Sequence, residues 1–429
     1  MLKKIAVRQL RIGMHLHKLE GAWTDHPFWR ARFVIDSTAD LRQLHECPIS
    51  ECWIDTRLGL DVADAVEPDS AAAALPARWA AGQRHALPSR DPTPAAETLS
   101  AGDEVQRAAA ICRRGREAVV AMFHEARMGR TVDAESCLPL VEEISRSVSR
   151  NPDALVSLAR LKTQDNYSYM HSVAVCALMV ALGRTLGLDE AACRAAGLAG
   201  LMHDVGKAVM PLEVLNKPGK LTDQEFEVIR SHPERGHALL LEGRGATPEM
   251  LDVVLHHHER VDGTGYPGRI SGEAFTPLAR MGAICDVYDA ITSNRPYKAG
   301  WDPAQSIARM AGWKGHFDPA LFGAFVQSLG IYPTGSVVRL ESGRLAVVIE
   351  QNPGHLVAPV VKVFYSARNE MPIAPLRLDL SRPGSSDRIV GREAGGAAKF
   401  PHLNELWVDA GILAQIPCSR RCRRCRIFG

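Results

Sequence analysis

From about residue 104 to residue 330 the apolar positions recur at the three- and four-residue spacing of helices, broken by short Gly, Pro or polar clusters. Tyr167 to Leu186 is apolar on several faces, which predicts a buried helix rather than a surface one. The run Gly197-Leu198-Ala199-Gly200-Leu201-Met202 ends in His203-Asp204, after which Gly206 and Lys207 break the pattern. Met281 to Ile291 forms another apolar helix, with Asp286 inside it. Beyond the turn between Gly330 and Pro333, Ser336–Leu340 and Leu345–Ile349 flank a Glu-Ser-Gly-Arg turn and predict a β-hairpin, and strand-like pieces continue through 356–417. At the other end, short mixed runs such as Phe33-Val34-Ile35 and Cys52-Trp53-Ile54 predict a small α+β module. Between that module and the helices, alanine, proline, serine and charge predominate, with too few large apolar residues to form a layer. The chain therefore reads as mainly α: a module over 1–65, a flexible linker over 66–103, a helical domain over 104–332, a β-containing extension over 333–417 and a Cys/Arg-rich tail over 418–429.

Composition narrows the function classes. With 51 basic against 49 acidic residues the net charge is only +2, which gives no case for wholesale nucleic-acid binding. The 10 cysteines are mostly dispersed and several fall in apolar helical patterns, as buried thiols of a reducing compartment do. Met1 to Arg8 carries charges without a following apolar segment, and the longest apolar stretch, from Val173, is interrupted by Arg184. Neither a signal peptide nor a membrane span is expected, so the protein reads as cytoplasmic. Cys418, Cys422 and Cys425 have spacing close to that of metal sites but no evident fourth ligand, and the arginines among them suit a solvated chain end, with contact to an acidic surface or nucleic acid as the alternative.

The candidate chemistry lies between His171 and Asp286. Taken singly, each residue has an ordinary reading: His171 as a core histidine, His203-Asp204 as a common pair, and His256-His257-His258 as a solvated helix end. Asp286 changes the balance, because an unpaired carboxylate in an apolar helix is costly. Asp289, three residues on, is placed to partner it or to accept from a ligating histidine. Glu259-Arg260-Val261-Asp262-Gly263-Thr264-Gly265-Tyr266-Pro267 follows the histidine run, its glycines permitting close backbone approach and Pro267 stiffening the exit. Together, five histidines and two carboxylates make the donor set of a multi-metal site and point to a metal-dependent hydrolase.

These motifs resemble those of the HD-GYP family of cyclic dinucleotide phosphodiesterases. The likeness spans approximately 155–335, through His203-Asp204-Val205-Gly206-Lys207, Asn216 to Thr222, Ser231-His232-Pro233, His256 to Pro267, and Ala279-Arg280 with Asp286 through Lys298. Residues 1–65 resemble the N-terminal domain often attached to that family, through Gly13-Met14, Trp23, His26-Pro27-Phe28 and Ile54-Asp55. The resemblance implies an HD-type helical bundle that cleaves cyclic di-GMP to linear pGpG, and onward to GMP by a second hydrolysis. It implies two divalent metals, with His171, His203, Asp204 and Asp286 holding one, His232, His257 and His258 holding the other, and Asp204 bridging. Mixed imidazole and carboxylate ligation suits iron or manganese and admits nickel, cobalt or zinc. Family members with a third metal carry a glutamate where this chain has Tyr167, so two are expected. Asp204 and Lys207 are the catalytic candidates, and Arg295 and Lys298 the phosphate-binding ones. The resemblance also allows contact with diguanylate cyclase domains, and a homo-oligomer is a separate expectation. Competing readings are a catalytically weak cyclic dinucleotide sensor, a protein-docking module, and a hydrolase preferring a mixed cyclic dinucleotide. Arg280 is open between ligand positioning and a helix salt bridge.

Overall fold

The computed structural model describes residues 2–20, 33–35, 38–46, 49–62, 101–160, 167–217, 219–293, 300–352, 355–382, 384–385, 387–393, 399–400 and 402–408. The chain divides into one unit over 1–98 and a second over 99–429. In the first, β1 (Leu2–Ala6), β2 (His15–Glu20), β3 (Phe33–Val34) and β4 (Glu51–Asp55) form an antiparallel sheet in the order β1-β4-β2-β3, joined by the helix α1 (Thr38–Glu46). Alternate residues of its strands, including Ile5, Leu16, Cys52 and Ile54, enclose a core with Leu10, Met14, Ile35 and Leu44.

The second unit is mainly helical. Its helices are α2 (Ala101–Arg127), α3 (Leu138–Arg150), α4 (Pro152–Arg160), α5 (Tyr167–Thr185), α6 (Glu190–Met202), α7 (Leu212–Leu215), α8 (Asp223–Arg230), α9 (His232–Leu241), α10 (Pro248–His256), α11 (Pro277–Thr292), α12 (Pro303–Ala311) and α13 (Pro319–Leu329). The linker expectation over 66–103 lies almost wholly outside the described residues, and the described chain resumes with α2 at Ala101. Helix α5 is buried from Met170 to Gly183 and touches α2, α3, α4, α6, α11 and α13, which explains why its apolar residues occupy every face. Four successive helices begin alike: Thr247, Thr276, Asp302 and Asp318 accept backbone N–H bonds at α10, α11, α12 and α13, each followed by proline in the first turn. The cap satisfies an otherwise orphaned donor, and proline there has no N–H to leave unpaired. No helix among the described residues is long and apolar enough to cross a membrane.

The expected hairpin is present as β5 (Val337–Leu340) and β6 (Arg344–Glu350), and it extends into an antiparallel sheet with β7 (Val360–Ser366), β8 (Met371–Asp379) and β9 (Ile389–Arg392) in the order β8-β7-β6-β5-β9. Both faces are covered: Val338, Leu340, Ala346 and Val348 lie on one, Val337, Leu345, Val347 and Phe364 on the other. The edge strand β8 carries Pro372 and Pro375, which lack the N–H groups that an added strand would need. Polar contacts join this sheet region to the bundle, among them Arg392 Nη1 in β9, which donates to Ala304 O in α12 at 3.2 Å. Arg160, at the end of α4, donates from Nη2 to Thr334 O at 2.8 Å, and the N–H of Val337 donates to Asp302 Oδ2 at 3.3 Å.

Candidate metal centre

Five elements converge on one buried volume. Helix α5 brings His171, and α6 ends so that His203 caps it and Asp204 follows in the turn. His232 opens α9, while α10 ends at His256 and delivers His257 and His258 just past its last turn. Helix α11 brings Asp286 and, one turn later, Asp289. The meeting of the Asp204 turn with α9 depends on glycine: a Cβ on Gly206 would lie 1.9 Å from His232 O and 2.5 Å from Gly236 N. Only two bare backbones can approach so closely, and this crossing sets Asp204 beside His232.

All seven residues expected as metal ligands fall in this cluster. Among the described residues the donor atoms of three triads lie within 4.8 Å of one another: His171, His203 and Asp286; His203, Asp204 and His257; and His232, His257 and His258. Asp204 stands between the two halves. Its Oδ2 lies 3.3 Å from His203 Nε2 and 3.6 Å from His171 Nε2, whereas Oδ1 lies 3.2 Å from His232 Nε2 and 3.8 Å from His257 Nε2. On the other side, Asp286 Oδ1 is 2.9 Å from His171 Nε2, and Oδ2 is 3.5 Å from His258 Nδ1.

The outer nitrogens of the rings are already committed. His203 Nδ1 donates to Gly200 O, His232 Nδ1 to Ile229 O, His257 Nδ1 to Val254 O and His171 Nδ1 to Asp289 Oδ2, at 2.6 to 3.0 Å. A neutral ring bound in this way turns its Nε2 lone pair inward. His232 Nε2 then faces His257 Nε2 at 3.2 Å, while His171 Nε2 lies 3.2 Å from His203 Nε2 and is hydrogen-bonded to Asp286 Oδ1 at 2.9 Å. Asp204 Oδ1 is buried without a hydrogen-bond partner. Opposed lone pairs beside an orphaned carboxylate oxygen are what a divalent cation would satisfy, so the residues present fit such an ion.

The electrostatics agree. Burial holds His232 below the usual histidine range, and burial with the neighbouring rings does the same to His257, while burial takes His258 down to about 3, so all three stay neutral and able to ligate. Burial pushes Asp204 and Asp286 up, but His203 and Lys207 around the first, and His171 and His258 around the second, hold both carboxyls well below their ordinary value. His171 differs, because Asp286 and Asp289 outweigh its burial and raise it. Lys207 Nζ sits 2.6 Å from Asp204 Oδ2 with its side chain partly exposed.

The glycine-rich loop folds back on its own start. A Cβ on Gly265 would lie 2.4 Å from Glu259 Cα, Tyr266 N donates to His258 O, and the Tyr266 ring stacks on His258 with centroids 4.7 Å apart. Glu259, to which the sequence assigned no role, is buried and accepts from Gly268 N at 2.6 Å, pinning the loop. Its position directly after two candidate ligands was the available signal. Asp289 proves to be the acceptor for His171. Arg280 joins Asp318 at 2.9 Å and Gly272 O, an anchor between α11 and α13 rather than a contact to the cluster. Arg295 and Lys298 lie outside the described residues, as do Trp23, His26-Pro27-Phe28 and the 418–429 tail.

Comparison with known proteins supplies the family. Residues 144–321 match the family described as HD domain, and residues 2–137 match a domain of unknown function, DUF3391. A cyclic di-GMP phosphodiesterase of Pseudomonas aeruginosa is 54% identical over 408 residues, covering 95% of this chain and 96% of that protein. A cyclic di-GMP phosphodiesterase response regulator of Xanthomonas campestris pv. campestris is 41% identical over 147 residues, 33% of this chain and 38% of its own. Among solved structures, an HDG"Y"P protein from Bdellovibrio bacteriovorus aligns over 76% of this chain and 98% of its own, with 16% identity and a TM-score of 0.44. Since the P. aeruginosa match runs over nearly the whole of both chains and the HD-domain match encloses the entire donor cluster, the chain belongs to the HD-GYP family.

Proposed function

We propose that the protein hydrolyses cyclic di-GMP to linear pGpG at a two-metal centre. The observation that carries this reading is the position of Asp204, whose two carboxylate oxygens face different pairs of histidines. His171, His203, Asp204 and Asp286 would hold one ion, and Asp204, His232, His257 and His258 the other, with iron or manganese favoured by the mixed donors. Bound there, two divalent ions supply Lewis-acid stabilisation of the charge developing on the phosphoryl oxygens and acidify water for attack. In-line displacement breaks the bond from phosphorus to a ribose 3′ oxygen and opens the ring; a second cleavage of pGpG would give GMP. Lys207, whose ammonium lies 2.6 Å from Asp204 Oδ2 on a partly exposed side chain, would neutralise the departing oxygen. Arg295 and Lys298 take the phosphates, on the strength of the family match alone.

The test is product analysis with purified, metal-analysed protein and a panel of cyclic dinucleotides. Cyclic di-GMP should be consumed with pGpG appearing first, and metal content should approach two per chain. Asp204→Ala should lose most of the metal together with turnover. No turnover after reconstitution with iron or manganese under reducing conditions would favour a sensor, and cleavage of only a mixed cyclic dinucleotide would replace the substrate.

A further inference from the structure

Helix α8 opens with a reciprocal cap between Thr222 and Glu225, yet none of its residues is buried. It presents Phe226, 48% exposed, on the same face as Arg230 one turn later. The Arg230 guanidinium lies 6.0 Å from the centre of the Phe226 ring and 4.9 Å from that of Tyr266, and Tyr266 in turn stacks on His258. His258 is the most open of the candidate metal donors, its side chain 20% exposed where Asp286 is 7% and the others about 1% or less. The series His258, Tyr266, Arg230, Phe226 therefore runs outward from the mouth of the metal pocket to solvent.

We propose that Arg230 and Phe226 form the subsite for one guanine of the cyclic dinucleotide, Arg230 reading its O6/N7 edge and Phe226 giving a stacking surface. This rests on the reading of the metal pocket as the phosphodiester site: a nucleotide whose phosphate sits there projects its base beyond His258, along this series. Arg230 has donors to offer. Its one hydrogen bond among the described residues runs from Nη1 to Glu227 Oε1 at 2.8 Å, and Glu227 is exposed, so that pair holds the guanidinium only weakly. The remaining donors suit the adjacent O6 and N7 acceptors of guanine, whereas adenine sets an N–H donor beside N7 and opposes them. An exposed aromatic next to such a fork is how nucleic-acid-binding proteins hold an unpaired base. Tyr266 backs the guanidinium, since an arginine over an aromatic face is attracted to it.

The experiment measures kcat and KM of full-length, metal-analysed protein on cyclic di-GMP, cyclic di-AMP and mixed cyclic GMP-AMP, for the unsubstituted chain, Arg230→Ala, Arg230→Lys and Phe226→Ala. Arg230→Ala should raise KM for cyclic di-GMP about tenfold with kcat little changed and metal content intact, and should shrink the preference for guanine over adenine by a similar factor. Lysine keeps the charge without the fork and should restore little of that preference. Phe226→Ala should raise KM for all three substrates. An unchanged guanine preference in Arg230→Ala, its full restoration by lysine, or loss of metal would each overturn the subsite. If the unsubstituted protein cleaves bis(p-nitrophenyl) phosphate but no cyclic dinucleotide, the substrate reading itself fails and the subsite with it.

Discussion

Asp289 shows how much of the centre depends on a residue that would touch no ion. Its Oδ2, 2.6 Å from His171 Nδ1, fixes the tautomer and the plane of that ring, and Ser293 Oγ donates to its other oxygen. Replacing it with asparagine keeps the volume but weakens the acceptor. Asp289→Asn should thus lower metal affinity about 10- to 100-fold in a chelator competition, with the fold retained. Affinity equal to that of the unsubstituted chain would mean that packing alone orients His171. That these seven residues would gather was expected from the family resemblance and from Asp286 in an apolar helix, since each histidine taken singly has an ordinary reading. Glu259 and Arg230 were not readable. Both sit in polar stretches where a charged residue is ordinarily solvated, and only the return of the loop to Gly268 and the stack on Tyr266 give them partners.

At the level of elements, the crossing of Gly206 with Gly236 governs whether the two halves of the centre meet. Gly206→Ala would drive a methyl group into the backbone of α9, where no side chain can swing away. The expected cost is about 3 kcal/mol in urea unfolding, with metal lost in parallel because Asp204 and His232 are pushed apart. An unchanged midpoint and full metal content would show that the turn can relax. Gly206 was visible in the sequence as a break in the apolar pattern and as part of the His203-to-Lys207 motif; that it faces a second glycine is a tertiary fact. Within the sheet, Asp387 ties the β5–β6 turn to the segment before β9. Burial pushes its carboxyl up, but Ser342 and Arg344 outweigh burial and hold it below the ordinary carboxylate value. A folded value below the unfolded one means that this contribution is present above the unfolded pKa of about 3.9 and fades as pH falls through the folded value. The difference in thermal stability between the unsubstituted chain and Asp387→Asn should accordingly be largest near neutrality and shrink below about pH 4. A difference independent of pH would remove the ionic part of that explanation.

For the whole molecule, the donor cluster is a burden as well as a tool. Two carboxylates and four of the five histidines are buried together with opposed lone pairs, an arrangement that favours the folded chain only when cations fill it. Stripping the metal should lower stability by about 3 kcal/mol or more, seen as a drop in Tm that returns on adding metal back. An unchanged Tm would show that the chain tolerates its own charges. The mainly helical centre and the β5–β6 hairpin were legible from their periodicities, whereas the α+β module at 1–65 rested on a weaker pattern. The extent of the C-terminal sheet was also less legible, since β8 is exposed along most of its length and lacks the clean alternation of β5 and β6. The contacts from Arg160 to Thr334 and from Asp302 to Val337 have a practical meaning for anyone who trims this gene. A stop codon after residue 332 looks harmless, because every candidate ligand precedes it. It would nonetheless take the sheet away from the ends of α4 and α12, leaving a guanidinium and a carboxylate stranded on newly bared apolar surface. A shortened enzyme made that way would keep its chemistry on paper and lose it in the flask to aggregation.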